Sequence, residues 1–155
     1  MEKNNDTKLD DLTIREAMLL VLDKSPMEFA RMKDAFKRVS DCFDLGDDVN
    51  GLQILSEEVF PLVRSLAEFC TSIFDHHLLV LGEDVGYEFC EKLKQLNELL
   101  TTLAEETHSG NFTEIGDILR FDMMDFISGL DDFFPEIRKC FEAGEFSGLD
   151  KHRGD

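Results

Sequence analysis

The sequence predicts an all-α protein, an antiparallel up-down-up-down four-helix bundle made from two duplicated helical hairpins with a short N-terminal helix before them. Three observations carry this expectation. Apolar residues recur at alternating steps of three and four, glycines interrupt that spacing at intervals, and the pattern of the first half returns in the second at an offset of sixty-four residues.

Thr13-Ile14-Arg15-Glu16 has the form of a capping box, so a short helix is expected from Thr13 to about Lys24. Ser25-Pro26-Met27-Glu28 repeats the start signal, because Pro at the first helical position has its φ already set and no amide to orphan. From there Phe29, Met32, Phe36, Val39 and Phe43 form one stripe until Gly46, a residue able to turn left-handed without a Cβ clash. Asp47 or Asp48 can cap the next helix, whose stripe runs Leu52, Leu55, Val59, Leu62, Leu66, Phe69, Ile73, His76 and Val80 up to Gly82. Pro61 lies inside this run and predicts a modest kink.

Asp84 can cap a third helix carrying Val85, Phe89, Leu93, Leu96, Leu100 and Leu103, which Gly110 stops. Asn111-Phe112-Thr113-Glu114 opens the last one, with Ile115, Leu119, Met123, Phe126, Leu130, Phe134, Ile137 and Phe141 on its stripe. It fades at Gly144, and Pro135 predicts a local bend.

At the offset of sixty-four, Phe29 falls on Leu93, Phe36 on Leu100, Gly46 on Gly110, Leu55 on Leu119 and Phe69 on Phe133 without a gap. Sixty-four is not a multiple of seven, and a shared stop glycine does not follow from apolar periodicity, so duplication is the economical explanation. The expected division is a flexible segment 1–12, one domain over 13–145 with halves at about 26–80 and 90–144, and a flexible tail 146–155. Short links between long helices require antiparallel neighbours.

Composition bounds the function. The chain has 155 residues, 34 Asp and Glu against 16 Lys and Arg, and a formal charge of -18, which opposes direct binding to a phosphate backbone or an anionic membrane. No apolar run approaches the eighteen or so residues of a membrane span, and the N-terminus lacks a basic region followed by an apolar one, so a cytoplasmic protein is expected. Fourteen Phe with no Trp and a single Tyr point to aromatic side chains used as core filler. Cys42, Cys70, Cys90 and Cys140 are widely spaced and are expected as free thiols.

Four constellations stand out. Glu105-x-x-His108 has the spacing of half a carboxylate-bridged di-metal site, but it occurs once and at a helix end where His suits the dipole. Gly46 to Glu57 follows a calcium loop at Asp48, Asn50, Gly51 and Glu57, yet its first ligand position is Gly. Asp75-His76-His77 puts His76 on the apolar stripe, where a polar residue more often sets register or partner choice than catalyses. Asp41, Asp44, Asp47 and Asp48 crowd the first turn, with Glu105, Glu106, Glu114 and Asp117 expected at the same end. Capping explains the acids that begin helices, whereas Asp41, Asp44, Glu105 and Glu106 oppose the dipole.

No catalytic residue, cofactor or metal ligand is assigned. The expected function is a non-catalytic interaction or adaptor protein offering a helical or acidic surface (Asp41, Asp44, Asp47, Asp48, Glu105, Glu106) to a protein partner, either a basic one or a second copy of the chain, with His76 as a seam specificity residue. Two alternatives are an acidic decoy for a basic nucleic-acid-binding protein and, less favoured, a metal-dependent helical-bundle enzyme.

Overall fold

The computed structural model describes residues 12–144 and 148–150, and every regular element among them is helical. Expectations for residues 1–11, 145–147 and 151–155 lie outside the described residues.

Helix α1 spans Ile14–Asp44 and opens on the expected capping box: the Glu16 amide donates to Thr13 Oγ1 and the Thr13 amide to Glu16 Oε1. The break expected at Ser25 is absent, and Pro26 lies inside the helix. Pro26 has no N–H to give the Leu22 carbonyl one turn back, and the buried Ser25 hydroxyl donates to that carbonyl instead, at 2.7 Å. The residue read as a start signal is therefore the one that lets the helix continue.

At its C-terminus Gly46 takes φ +75°, the Gly46 amide donates to Phe43 O and the Asp47 amide to Cys42 O, which is a Schellman motif. Helix α2 (Asp48–Ile54), a π turn (Leu55–Val59) and helix α3 (Phe60–His76) then follow as a nearly continuous rod. The wide turn precedes Pro61: the Phe60 amide reaches back five residues to Leu55 O. The rod was expected to reach Val80, but it ends at His76, where His77 leaves helical geometry (φ -135°, ψ 14°).

Helix α4 (Leu78–Ser109) contains Gly82 at φ +76°, ψ -174°, a conformation that is nearly exclusive to Gly. Gly82 leaves helical geometry and separates the first turn, residues 78–81, from the long helix that follows, so the apolar run does stop there as expected, and Asp84, read as a cap, lies just past the break. Gly110 closes α4 with the same Schellman bonds, Gly110 amide to Thr107 O and Asn111 amide to Glu106 O. Helix α5 (Phe112–Asp117), a second π turn (Ile118–Met123) and helix α6 (Met124–Ala143) complete the order, with Pro135 inside α6 and Gly144 following its last residue.

Helix α1 packs against α2, α5 and α6, while α4 packs against α3 and α6. Contacts between α1 and the α5–α6 rod run in opposite chain order: Asp23 to Arg138, Phe29 to Phe134 at 5.0 Å between ring centroids, and Phe43 to Phe112 at 5.1 Å. Phe29, Phe36, Leu55, Ile73, Leu96, Leu119, Ile127 and Phe141 are among the fully enclosed side chains, each contributing roughly 1.5–3 kcal/mol by burial. Phe as core filler fails at Phe74 and Phe121, which are exposed.

Residues 148–150, read as part of a flexible tail, form a turn with Leu149 buried and its carbonyl accepting from the Arg15 amide. The Arg15 guanidinium donates to the carbonyls of Phe141, Glu142 and Gly144 and pairs with Asp150 at 3.1 Å. An arginine from the start of α1 therefore caps the end of α6.

Ser25→Ala leaves the Leu22 carbonyl without a donor and should cost about 1–3 kcal/mol in urea unfolding. In a Pro26→Ala background the restored amide replaces the hydroxyl, so the same Ser25→Ala change should lose most of its effect; an equal loss in both backgrounds would refute the substitution of one donor for the other.

Candidate functional site

Two Schellman turns define one end of the molecule, and Phe43 and Phe112 hold them together by ring contact. Gly51 permits this arrangement, since a Cβ there would stand 2.4 Å from the Phe43 ring. The residue that matched the glycine of a calcium loop is thus a helix-packing residue. Asp48 and Asn50 lie on α2 and Glu57 on the π turn after it, so the three are strung along helix rather than wrapped about a point. Asn50 Nδ2 donates to Asp47 at 2.7 Å, and Gln53 Nε2 approaches Glu57 at 3.4 Å.

The six carboxylates expected to form an acidic surface divide into two sets. Asp41 accepts from Lys37 Nζ at 2.7 Å and Asp44 pairs with Arg120, so the two acids that oppose the α1 dipole each have a cation. The Asp41 carboxylate raises the Lys37 pKa, chiefly through that hydrogen bond. Among the described residues Asp47, Asp48, Glu105 and Glu106 make no ion pair. Glu114 and Asp117 are exposed on α5, which begins at the same end. Amid these acids Leu45 is 84% exposed and Val49 78%. Sequence reading missed both as surface groups: Leu45 falls off the apolar stripe, two residues past Phe43, whereas Val49, three before Leu52, is in step with it and gives no such signal.

His76 is exposed on the last residue of α3, so the apolar stripe it was expected to continue ends at the buried Ile73. Its neighbour His77 is the half-buried one, with its ring 5.9 Å from that of Phe141 and 6.1 Å from His76. Burial, and then the His76 charge, hold the His77 pKa below its usual value. Glu105 and His108 are both exposed, and no group of three or more metal-ligating side chains occurs among the described residues.

All four cysteines are free. Burial pushes the Cys70 thiol up to about 12 and raises that of Cys140, which approaches the Leu81 carbonyl, so neither is poised as a thiolate nucleophile.

No family model matches the chain, and no curated protein or solved structure matches it. The chemistry of the acidic end therefore rests on its own geometry.

Gly51→Ala should displace the Phe43 ring from Phe112 and lower stability by about 1–3 kcal/mol, read from denaturant midpoints. The lowered His77 pKa sets a pH dependence of definite sign. The unfolded chain takes up the proton first as pH falls below the usual His range, so the His77 contribution is present above about pH 6.5 and is lost toward the lower folded-state value. His77→Gln should flatten this part of the stability profile between pH 7.5 and 5, and an unchanged profile would contradict the assignment.

Proposed function

We propose that this chain is a non-catalytic, cytoplasmic interaction protein whose acidic end docks a basic protein partner. One observation carries the reading: Leu45 and Val49 stand out to solvent among carboxylates, several of which pair with no cation among the described residues. Apolar anchors surrounded by charge of one sign are suited to a partner with an apolar contact and a basic rim, the anchors giving affinity and the charges steering approach.

The same reading takes the architecture as an antiparallel four-helix bundle built by duplication. Its support is the recurrence, at sixty-four residues, of backbone detail as well as side chains. The bonds from Gly46 to Phe43, Asp47 to Cys42 and Gly51 to Asp47 return as Gly110 to Thr107, Asn111 to Glu106 and Ile115 to Asn111. The π turn at Leu55–Val59 returns within Ile118–Met123. Duplication would place both acidic turns at one end by symmetry.

Affinity capture with the full chain from its source cells tests the function. A partner retained by the wild-type chain should be lost at least tenfold with Leu45→Asp/Val49→Asp and should withstand moderate salt. Equal retention by that variant, or no retained partner, would sink the reading; retention that collapses with salt and ignores the two apolar residues would indicate an acidic decoy instead.

A further inference from the structure

Helix α1 lies close to α2 and the first π turn, but beyond Pro61 the two rods part, and α1 touches α3 only sparsely. Phe134 of α6 accounts for the separation. Its ring lies 5.0 Å from that of Phe29 on α1 and 6.1 Å from that of Phe69 on α3, a wedge between the two helices.

Outside the wedge, three adjoining hollows of about 300, 100 and 560 Å³ follow the α1–α3 seam. The first and second share Val21 and Phe69, and the second and third share Leu62 and Ser65, so they form one groove from Leu12 to Arg38. From Ile14 to Arg38, at 1.5 Å per residue, it follows roughly 36 Å of helix. The seam at the sixty-four-residue offset, between α4 and α6, is closely packed and has Lys92 over the Phe133 ring, so the open α1–α3 seam has no counterpart at that offset, although a further hollow of about 810 Å³ follows α3 and α4.

The groove is chemically divided. Its middle is largely apolar, with Phe29, Met32, Leu66 and Phe134 at the floor and Val21, 42% exposed, at the lip beside Glu28. Toward Arg38, past Met27, which is 71% exposed, the walls carry Asp34, Glu57 and Glu58 against Arg31 and Arg38. Both arginines are already engaged: Arg31 by Glu28 at 3.2 Å, and Arg38 by Asp34 at 2.8 Å and Glu58 at 2.6 Å. The remaining charge is acidic, with Glu57 in no ion pair among the described residues.

We propose that the α1–α3 groove is a docking site for a basic amphipathic helix of a protein partner, with apolar residues at i, i+3 or i+4 and i+7 seated along the seam from Val21 to Met27 and Lys or Arg facing Glu57. Length, an apolar lane and an acidic margin together select that occupant. The site is separate from the acidic end and stands without it.

A synthetic 24-residue helix with Leu on one face and Lys on the other serves as probe, titrated against the full chain and compared with a version carrying Glu for Lys. The Lys peptide should bind and shift backbone amide resonances clustered along residues 17–31 and 62–72. Val21→Gln/Met27→Gln, neutral changes at exposed positions, should weaken it tenfold or more, whereas Leu45→Gln/Val49→Gln at the acidic end should leave it within twofold. The inference is overturned by absence of binding, by equal binding of the Glu peptide, or by an equal loss with the acidic-end variant. It is also overturned if the free chain is a dimer whose interface covers the seam. Loss of the partner at Leu45 and Val49 alone would fail to touch this groove, so the two surfaces are tested apart.

Discussion

The continuity of α1 is the constraint from which the remaining packing follows. This 31-residue helix meets α2, α5 and α6, and it crosses a proline that removes one of its own hydrogen bonds. Had the chain broken at residue 25, the segments on either side could have pivoted independently, and Arg15 would not have been held in register with the end of α6. One buried hydroxyl satisfies the Leu22 carbonyl where Pro26 cannot. The ion pair of Asp23 with Arg138 and the ring contacts of Phe29 and Phe43 are then successive points along one straight edge.

Much of this was legible in the residue pattern. Stop glycines announce themselves because their positive φ is a local property, and both Gly46 and Gly110 adopt it. The capping box at Thr13 is equally local, needing only residues three apart. What the pattern misplaced depended on donors that propensity rules do not count. Ser-Pro is a common helix start, and only the geometry shows Ser25 bonding backward instead of capping forward. Periodicity likewise carried the α3 stripe through His76, because a polar residue in an apolar register resembles a seam residue until its exposure is known. The π turns left no mark in the pattern, because the apolar steps of three and four run on through Leu55, Val59 and Leu62.

The acidic surface shows the same difference between composition and placement. A count of carboxylates treats Asp41 and Glu105 alike, although one faces Lys37 and the other has no such partner. Exposed ion pairs contribute little to stability, with a usual range near 0–1 kcal/mol. Lys37 and Arg120 therefore matter less for holding the fold than for thinning the negative field on one side of the turn. What remains is concentrated around Asp47, Asp48, Glu105 and Glu106, next to side chains the core does not use.

A single exposed Leu on a protein surface carries no message, since more than half of any folded surface is apolar. Leu45 and Val49 differ because they are four residues apart in a turn whose other side chains are acids, and Val21 and Met27 differ because they line successive hollows of one seam. In both places adjacent structure has an identifiable reason for leaving the group outside. At the turn, the Schellman geometry commits the backbone to reversing after Leu45, which sends that side chain away from Phe43 and Phe112. At the seam, Phe134 holds α1 and α3 too far apart for Val21 and Leu62 to close on each other. Each feature is bound to a contact that the core requires, so neither can be closed by a small side-chain adjustment, and an added helix or surface from outside is the remaining way to cover it.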